Sequence, residues 1–179
     1  MDIYKLNFTL LELELFSVLA MRAGESFSQR ELAKILSVSP TAISNAVRKL
    51  VDKDLIILEK TKTINFVKFN RDNYKAIQRK RVENLKNIYI SGLVDFLEEE
   101  LPGATIILFG SYSKGEDTEN SDIDIAVIGR KNKILDLEKY EKMLYREINV
   151  NFYDSWKNID RHLKNNILNG IILIGGVEL

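Results

Sequence analysis

The stretch FGSYSKGEDTENSDIDIAVIG, Phe109 to Gly129, constrains the chain more than any other part of it. An apolar run, Thr105 to Phe109, stops at Gly110 and Ser111, ten residues follow, and Asp122 and Asp124 then open a second apolar run, Ile123 to Ile128. Short apolar runs bounded by glycine and polar residues read as buried strands. The segment between them is too polar and glycine-containing to be core, so it reads as a loop with room for a helical turn. Residues i and i+2 of a strand face the same way, so the carboxylates of Asp122 and Asp124 converge.

Converging carboxylates repel one another unless a cation sits between them or one is protonated. Mg²⁺ suits such a place, because it takes oxygen ligands and is usually held by one or two carboxylates together with substrate phosphates. Gly110 lets a phosphate approach the backbone, and the Ser111 hydroxyl and nearby N–H groups can bond its oxygens. Taken singly these parts are weak, since Gly-Ser pairs are common and an Asp-x-Asp triplet is more often a solvated strand edge. Their order carries the reading.

In that order of Gly-Ser, loop and Ser-Asp-x-Asp, GSYSKGEDTENSDIDIAV resembles the nucleotidyltransferase signature of the DNA polymerase β superfamily. The minimal nucleotidyltransferases are the nearest kind, and the resemblance runs from about Leu85 to Leu179. It implies a nucleoside triphosphate, ATP first, as substrate or ligand, and Mg²⁺ held by Asp122 and Asp124 as catalytic residues. Gly110, Ser111, Lys114 and Ser121 would hold the nucleotide. The reaction implied is attack of a hydroxyl on the α-phosphate with release of pyrophosphate. The acceptor is open among a protein hydroxyl, a small molecule and a nucleic acid. Small antitoxin-like members tend to sit beside the partner they modify, so a protein substrate encoded nearby belongs among the expectations.

One strand departs from that pattern. The family's third acid lies on a strand that here reads INVNFYD, with Asn149 and Asn151 on one face and Ile148, Val150 and Phe152 on the other. Asn149 fits the third metal position best. An amide offers an oxygen but cannot be a base, and general-base assistance is commonly worth about 10²- to 10⁴-fold. Three readings stay open: a slow enzyme whose base comes from Glu116, Asp117 or Glu119, a nucleotide-sensing and catalytically inactive regulator, and a relic scaffold. The remaining C-terminal pattern is an amphipathic helix over NKILDLEKYEKMLYRE, the INVNFYD strand, a helix over IDRHLKNNILNG closed by Gly170, and a last strand IILIG. Trp156 and His162, the single histidine, read as packing or surface residues.

The first seventy residues follow a different plan. TLLELELFSVLAMRAG has helical spacing, with Gly24 placed to cap it. Ser28 and Glu31 form a capping-box pattern ahead of Leu32, Ile35 and Leu36. Ser39 reads as an N-cap and Pro40 as the first helical residue, with Ile43, Val47, Leu50 and Val51 buried. The runs LIILEK and INFVKF flank Lys60, Thr61, Lys62 and Thr63, a hairpin with a basic tip. Helix, helix, third helix and two-stranded wing resemble winged helix-turn-helix domains of the MarR-like and GntR-like kind. On that resemblance Thr41, Ser44, Asn45, Arg48 and Lys49 would meet DNA in a major groove, and Lys60 and Lys62 the flanking backbone. Docking onto a protein, or homodimer formation, is the alternative use of such a domain.

Between the halves, RDNYKAIQRKRVENLKNIYISGLVDFLEEELPG carries an apolar stripe through Tyr74, Ile77, Val82, Leu85, Ile88, Tyr89, Leu93 and Phe96, stopped by Pro102 and Gly103. Arg71, Lys75, Arg79, Lys80 and Arg81 read as its solvated basic face, with extension of a nucleic-acid surface as the alternative. The expected fold is α+β: a winged helix-turn-helix domain over 1–70, and a small mixed β-sheet with flanking helices over 71–179, of which 71–101 is a connecting helix. The 26 basic and 26 acidic side chains cancel, so any nucleic-acid surface must be local. Without cysteine there are no disulfides or thiolate metal sites. The opening MDIYKLNF lacks the basic and long apolar regions of a signal peptide, and no run approaches the length of a membrane span. The expectation is an intracellular, cytoplasmic chain without a membrane partner.

Overall fold

A computed structural model of the chain describes residues 8–177, so most of the opening MDIYKLNF lies outside the described residues. The chain divides into two compact units, Met1–Lys80 and Arg81–Leu179. No helix among the described residues is long and apolar enough to cross a membrane.

In the first unit α1 (Leu10–Met21) begins at a reciprocal cap, in which Thr9 accepts from the Glu12 N–H while the Glu12 carboxylate accepts from the Thr9 N–H at 3.0 Å. Arg22 closes this helix, and Gly24 lies beyond the cap. After the short β1 (Ser26–Ser28), α2 (Gln29–Ile35) starts with the same device from Ser28 and Glu31. Ser39 caps α3 (Pro40–Asp52), with Pro40 in its first turn, where a missing N–H costs nothing. Then β2 (Ile56–Lys60) and β3 (Asn65–Phe69) form the antiparallel hairpin, and β1 pairs on the other side of β3. Three residues are too few to show alternation, so β1 is invisible in the sequence. Leu15, Leu19, Leu32, Ile43, Leu50 and Val67 close the core, while Val51 stays half-buried. This is a winged helix-turn-helix.

The expected single helix over 71–101 is two. α4 (Tyr74–Ile90) ends at Ser91, whose hydroxyl donates to the Ile88 carbonyl at 2.8 Å, and α5 (Leu93–Glu100) restarts after Gly92 at φ +76°. A positive φ cannot continue a right-handed helix. The apolar stripe also fails in part: Ile88 is buried, but Tyr74 and Val82 are 74% and 68% exposed. Lys80 departs from the expected solvated face, being fully buried, and Arg79 lies over the Phe8 ring at 4.9 Å.

The second unit is built on a four-stranded mixed sheet in the order β6-β5-β4-β7. Here β4 (Thr105–Phe109) runs into a short α6 (Gly110–Lys114), and β5 (Ile123–Ile128) returns antiparallel beside β4. β6 (Ile148–Tyr153) lies parallel to β5, reached through α7 (Glu138–Leu144), which is much shorter than the helix expected over 132–147. A turn of 3₁₀ helix at Trp156–Asn158 and α8 (Arg161–Leu168) lead to β7 (Ile171–Ile174), antiparallel to β4. One sheet face packs Ile106, Leu108, Ile125, Val127 and Ile148 against Leu93, Leu97 and Leu144. The other packs Ile107, Phe109, Ala126 and Ile128 against Trp156, Ile159 and Ile167, so Trp156 is a core residue, while His162 is exposed.

Gly170 sets how closely α8 returns to the sheet. A Cβ there would overlap the Leu108 carbonyl oxygen and stand 2.9 Å from Ile107 Cγ2 and the Ile167 oxygen. Gly170→Ala is therefore expected to destabilise the chain by about 1–3 kcal/mol, measured by urea unfolding. An unchanged midpoint would contradict this packing.

Candidate active site and candidate nucleic-acid face

The strand ladder brings the sequence-predicted residues to one end of the sheet. Phe109 pairs with Asp124 across β4 and β5, and Asp124 pairs with Asn149 across β5 and β6. Gly110, the next residue after Phe109, therefore sits beside Asp124. Its φ is +75°, and a Cβ there would overlap Asp124 Oδ2. The glycine is thus required on two counts, left-handed backbone and the carboxylate lying against it.

Asp122 immediately precedes β5 and is exposed, while Asp124 is half-buried. Burial first, and then the charge of Asp122, push the Asp124 carboxyl above its ordinary range. The Tyr153 hydroxyl is likewise pushed up, by burial and then by the charge of Asp124. Asn149 donates from Nδ2 to Asp122 Oδ2 at 3.0 Å. This amide hydrogen bond steadies a carboxylate that its neighbour repels. Asn151 shares the exposure of Asn149 on β6.

The other predicted nucleotide residues are placed less uniformly. Ser111 is half-buried at the start of α6, with its carbonyl accepting from the Glu116 N–H at 3.0 Å, whereas Lys114 is exposed at that helix's far end. Ser121 closes a turn, its hydroxyl accepting from the Thr118 N–H at 2.9 Å. Of the three loop carboxylates considered as bases, Glu116 is exposed and Glu119 accepts from Asn120 at 3.2 Å. Asp117 is not available for that role: it is buried, takes a hydrogen bond from Asn84 at 2.7 Å and faces Arg146 at 3.5 Å. Sequence reading missed Asn84 and Arg146, which lie within helical and mixed-polarity segments that give no sign of burial.

The donor set fits a divalent cation shared with a ligand. The described residues hold no group of three or more Asp, Glu, His or Cys able to bind a metal among themselves. Two carboxylates, with Asp124 raised first by burial and then by the charge of Asp122, leave room for phosphate oxygens to complete a hard cation's shell. Beside Asp122 opens a cleft of about 600 Å³ whose lining includes Ser121, Tyr145 and Glu147.

On the first unit, Thr41, Asn45, Arg48 and Lys49 are exposed on α3 and Ser44 is half-buried; Lys60 and Lys62 are exposed at the wing. Lys49 is engaged within the fold, its ammonium 2.8 Å from Glu12. Burial opposes charge on Glu12, but hydrogen bonds from Lys49 and from the Thr9 N–H outweigh it and hold its carboxyl below the ordinary range. Thr41, Asn45 and Arg48 recur at i, i+4 and i+7 and make one stripe.

Residues 90–174 match the family described as the nucleotidyltransferase domain, and residues 6–63 match the MarR family. No curated protein matches the chain.

The raised carboxyl of Asp124 has a stability consequence. A fold that favours its protonated form gains from it below the ordinary Asp range and loses that gain as pH rises through the raised value. In chelator, Asp124→Asn is expected to raise Tm near neutral pH and to change it little at about pH 3. A uniform shift at both would remove the charge of the half-buried Asp124 carboxylate as its cause.

Proposed function

We propose, for a chain that joins a MarR-family winged helix to a nucleotidyltransferase domain, that the second unit binds a nucleoside triphosphate with Mg²⁺ and transfers its nucleotidyl group slowly to a hydroxyl acceptor. The observation that carries this reading is the juxtaposition of Gly110, Asp124 and Asn149-bound Asp122 at one end of the sheet. Gly110 and the Ser111 hydroxyl would receive the β- and γ-phosphates, with Lys114 adding charge from the end of α6. Asp122 and Asp124 would hold Mg²⁺, which supplies charge neutralisation at the phosphates and activates the α-phosphorus. In the transfer, a bond forms from the acceptor oxygen to the α-phosphorus, the α–β phosphoanhydride bond breaks, and pyrophosphate leaves. The acceptor's proton goes to water, because Asn149 presents a donor where a base would stand.

The first unit is read as the DNA-binding half, through Thr41, Ser44, Asn45 and Arg48 on α3 and Lys60 and Lys62 on the wing. Lys49 contributes less, since Glu12 already neutralises it. The same Asn149 hydrogen bond favours a second reading, in which nucleotide binding without turnover regulates DNA binding. Acceptors within reach of this proposal include a protein encoded beside the chain, as for antitoxin-like enzymes, and a cytoplasmic setting goes with it.

Incubation with α-labelled ATP and Mg²⁺ tests the enzymatic reading, with label transfer and pyrophosphate release as readouts. Asn149→Asp is expected to raise turnover tenfold or more, in line with general-base assistance. Persistence of a MgATP-induced thermal shift in the Asp122→Asn/Asp124→Asn double variant would overturn the placement. Binding without any turnover, in wild type and in Asn149→Asp, would select the regulatory reading.

For the DNA half, Lys60→Ala/Lys62→Ala should weaken duplex binding at every sequence and flatten its salt dependence by about one to two in slope. Arg48→Ala should lower discrimination between sequences. Binding indifferent to salt and to Arg48→Ala would point instead to protein docking.

A further inference from the structure

Three segments bearing the candidate site meet one buried polar cluster inside the second unit. Asn84 of α4 is 2% exposed and donates from Nδ2 to the Tyr112 carbonyl of α6 at 2.8 Å and to Asp117 Oδ1 at 2.7 Å. Asp117, 1% exposed, faces the Arg146 guanidinium across 3.5 Å, and Arg146 is 6% exposed. Arg146 in turn bonds the Tyr145 carbonyl at 2.8 Å, and its N–H donates to the Glu141 carbonyl at 3.2 Å. Burial first, and then the charge of Asp117 against the opposing effect of Arg146, push the Tyr112 hydroxyl up.

The positions of these contacts matter more than their number. Tyr112 follows Gly110 and Ser111 within α6. Asp117 lies in the loop that leads to Asp122, a residue that precedes the β5 ladder and is therefore placed by that loop. Arg146 stands at the entrance to β6, three residues before Asn149. The same entrance is fixed by Ile148 N–H donating to Glu141 Oε1 at 3.0 Å and by Ile123 N–H donating to the Glu147 carbonyl at 2.9 Å. A buried ion pair is a poor source of stability, since an apolar pair of similar volume does as well or better. In some proteins such a pair instead serves to fix one arrangement among several.

Resting on the nucleotide-site reading above, we infer that Asn84, Asp117 and Arg146 are positioning residues, which hold the phosphate segment, Asp122 and Asn149 in register for a metal–nucleotide ligand. None of the three is among the residues assigned above to the phosphates or the metal, although Arg146 also borders the cleft beside Asp122. Their effect runs through the Asn149–Asp122 hydrogen bond and through α6.

The test uses the full chain. The Asp117→Asn/Arg146→Met double variant removes both charges together, so neither is left buried alone, and Asn84→Ser removes two hydrogen bonds without changing charge. Circular dichroism and cooperative unfolding select the variants that fold. MgATP affinity is read by calorimetry, and the Asn149 side-chain amide resonance, assigned by its loss in Asn149→Ser, is read by ¹⁵N-correlated NMR. A folded double variant is expected to bind MgATP at least tenfold more weakly and to show an Asn149 amide shifted to its free position. Arg146→Lys should recover most of both. Should the double variant not fold, Asn84→Ser carries the same expectation at about threefold or more. Wild-type affinity and an unmoved Asn149 amide in a folded variant would overturn the positioning role while leaving the nucleotide site intact. Wild type that fails to bind MgATP would overturn the nucleotide-site reading, and an Asn149 amide unmoved by the double variant would then overturn the positioning role separately.

Discussion

Antiparallel pairing of Phe109 with Asp124 is the constraint from which the rest of the C-terminal unit follows. That register puts the turn out of β4 beside the carboxylate entering β5, so glycine at 110 becomes the sole residue with both the room and the backbone freedom. Parallel pairing of β5 with β6 then adds Asn149 at the same level. Slipping either ladder by one residue would turn Asp124 or Asn149 to the opposite sheet face, among Ile125 and Ile148. Hydrophobic burial on that face fixes the register, and the polar end of the sheet inherits its geometry from the apolar middle.

Within that frame the electrostatics pull in one direction. Two carboxylates lie close enough for one to raise the other, and a neutral amide hydrogen bond is the nearest relief the chain itself supplies. A donor at 149 lowers the charge of the site and helps the fold tolerate it, at the expense of proton acceptance. An acid there would do the reverse. The identity of residue 149 thus decides whether two carboxylates or three meet at this end of the sheet.

Much of this was legible in the sequence where local chemistry decides structure. The caps at Ser28 and Ser39, the wing hairpin, and the strands on either side of GSYSKGEDTENSDIDIAV each follow from residues close together in the chain. What escaped depended on distant partners. Asn84 sits in a helix whose stripe looked apolar elsewhere, and only the fold shows that it reaches Tyr112 and Asp117. Lys80 reads as solvated and is buried, Lys49 reads as a groove contact and is held by Glu12, and Gly92 breaks a helix that periodicity alone would continue. Gly110 was recognisable as the break that ends a strand, yet its contact with Asp124 needed the strand register, which local sequence does not reveal.

That contact ties two positions together in a way that bears on how such a site can change over time. The space a side chain would need at 110 is filled by the Asp124 carboxylate, so the two positions do not vary independently. While Asp124 is kept, any side chain at 110 must displace its carboxylate. Once a smaller residue stands at 124, the steric bar at 110 falls and only the backbone's preference for glycine remains. Loss of the second carboxylate therefore opens the way to loss of the glycine, whereas the opposite order meets a clash, and decay of this site has a preferred direction.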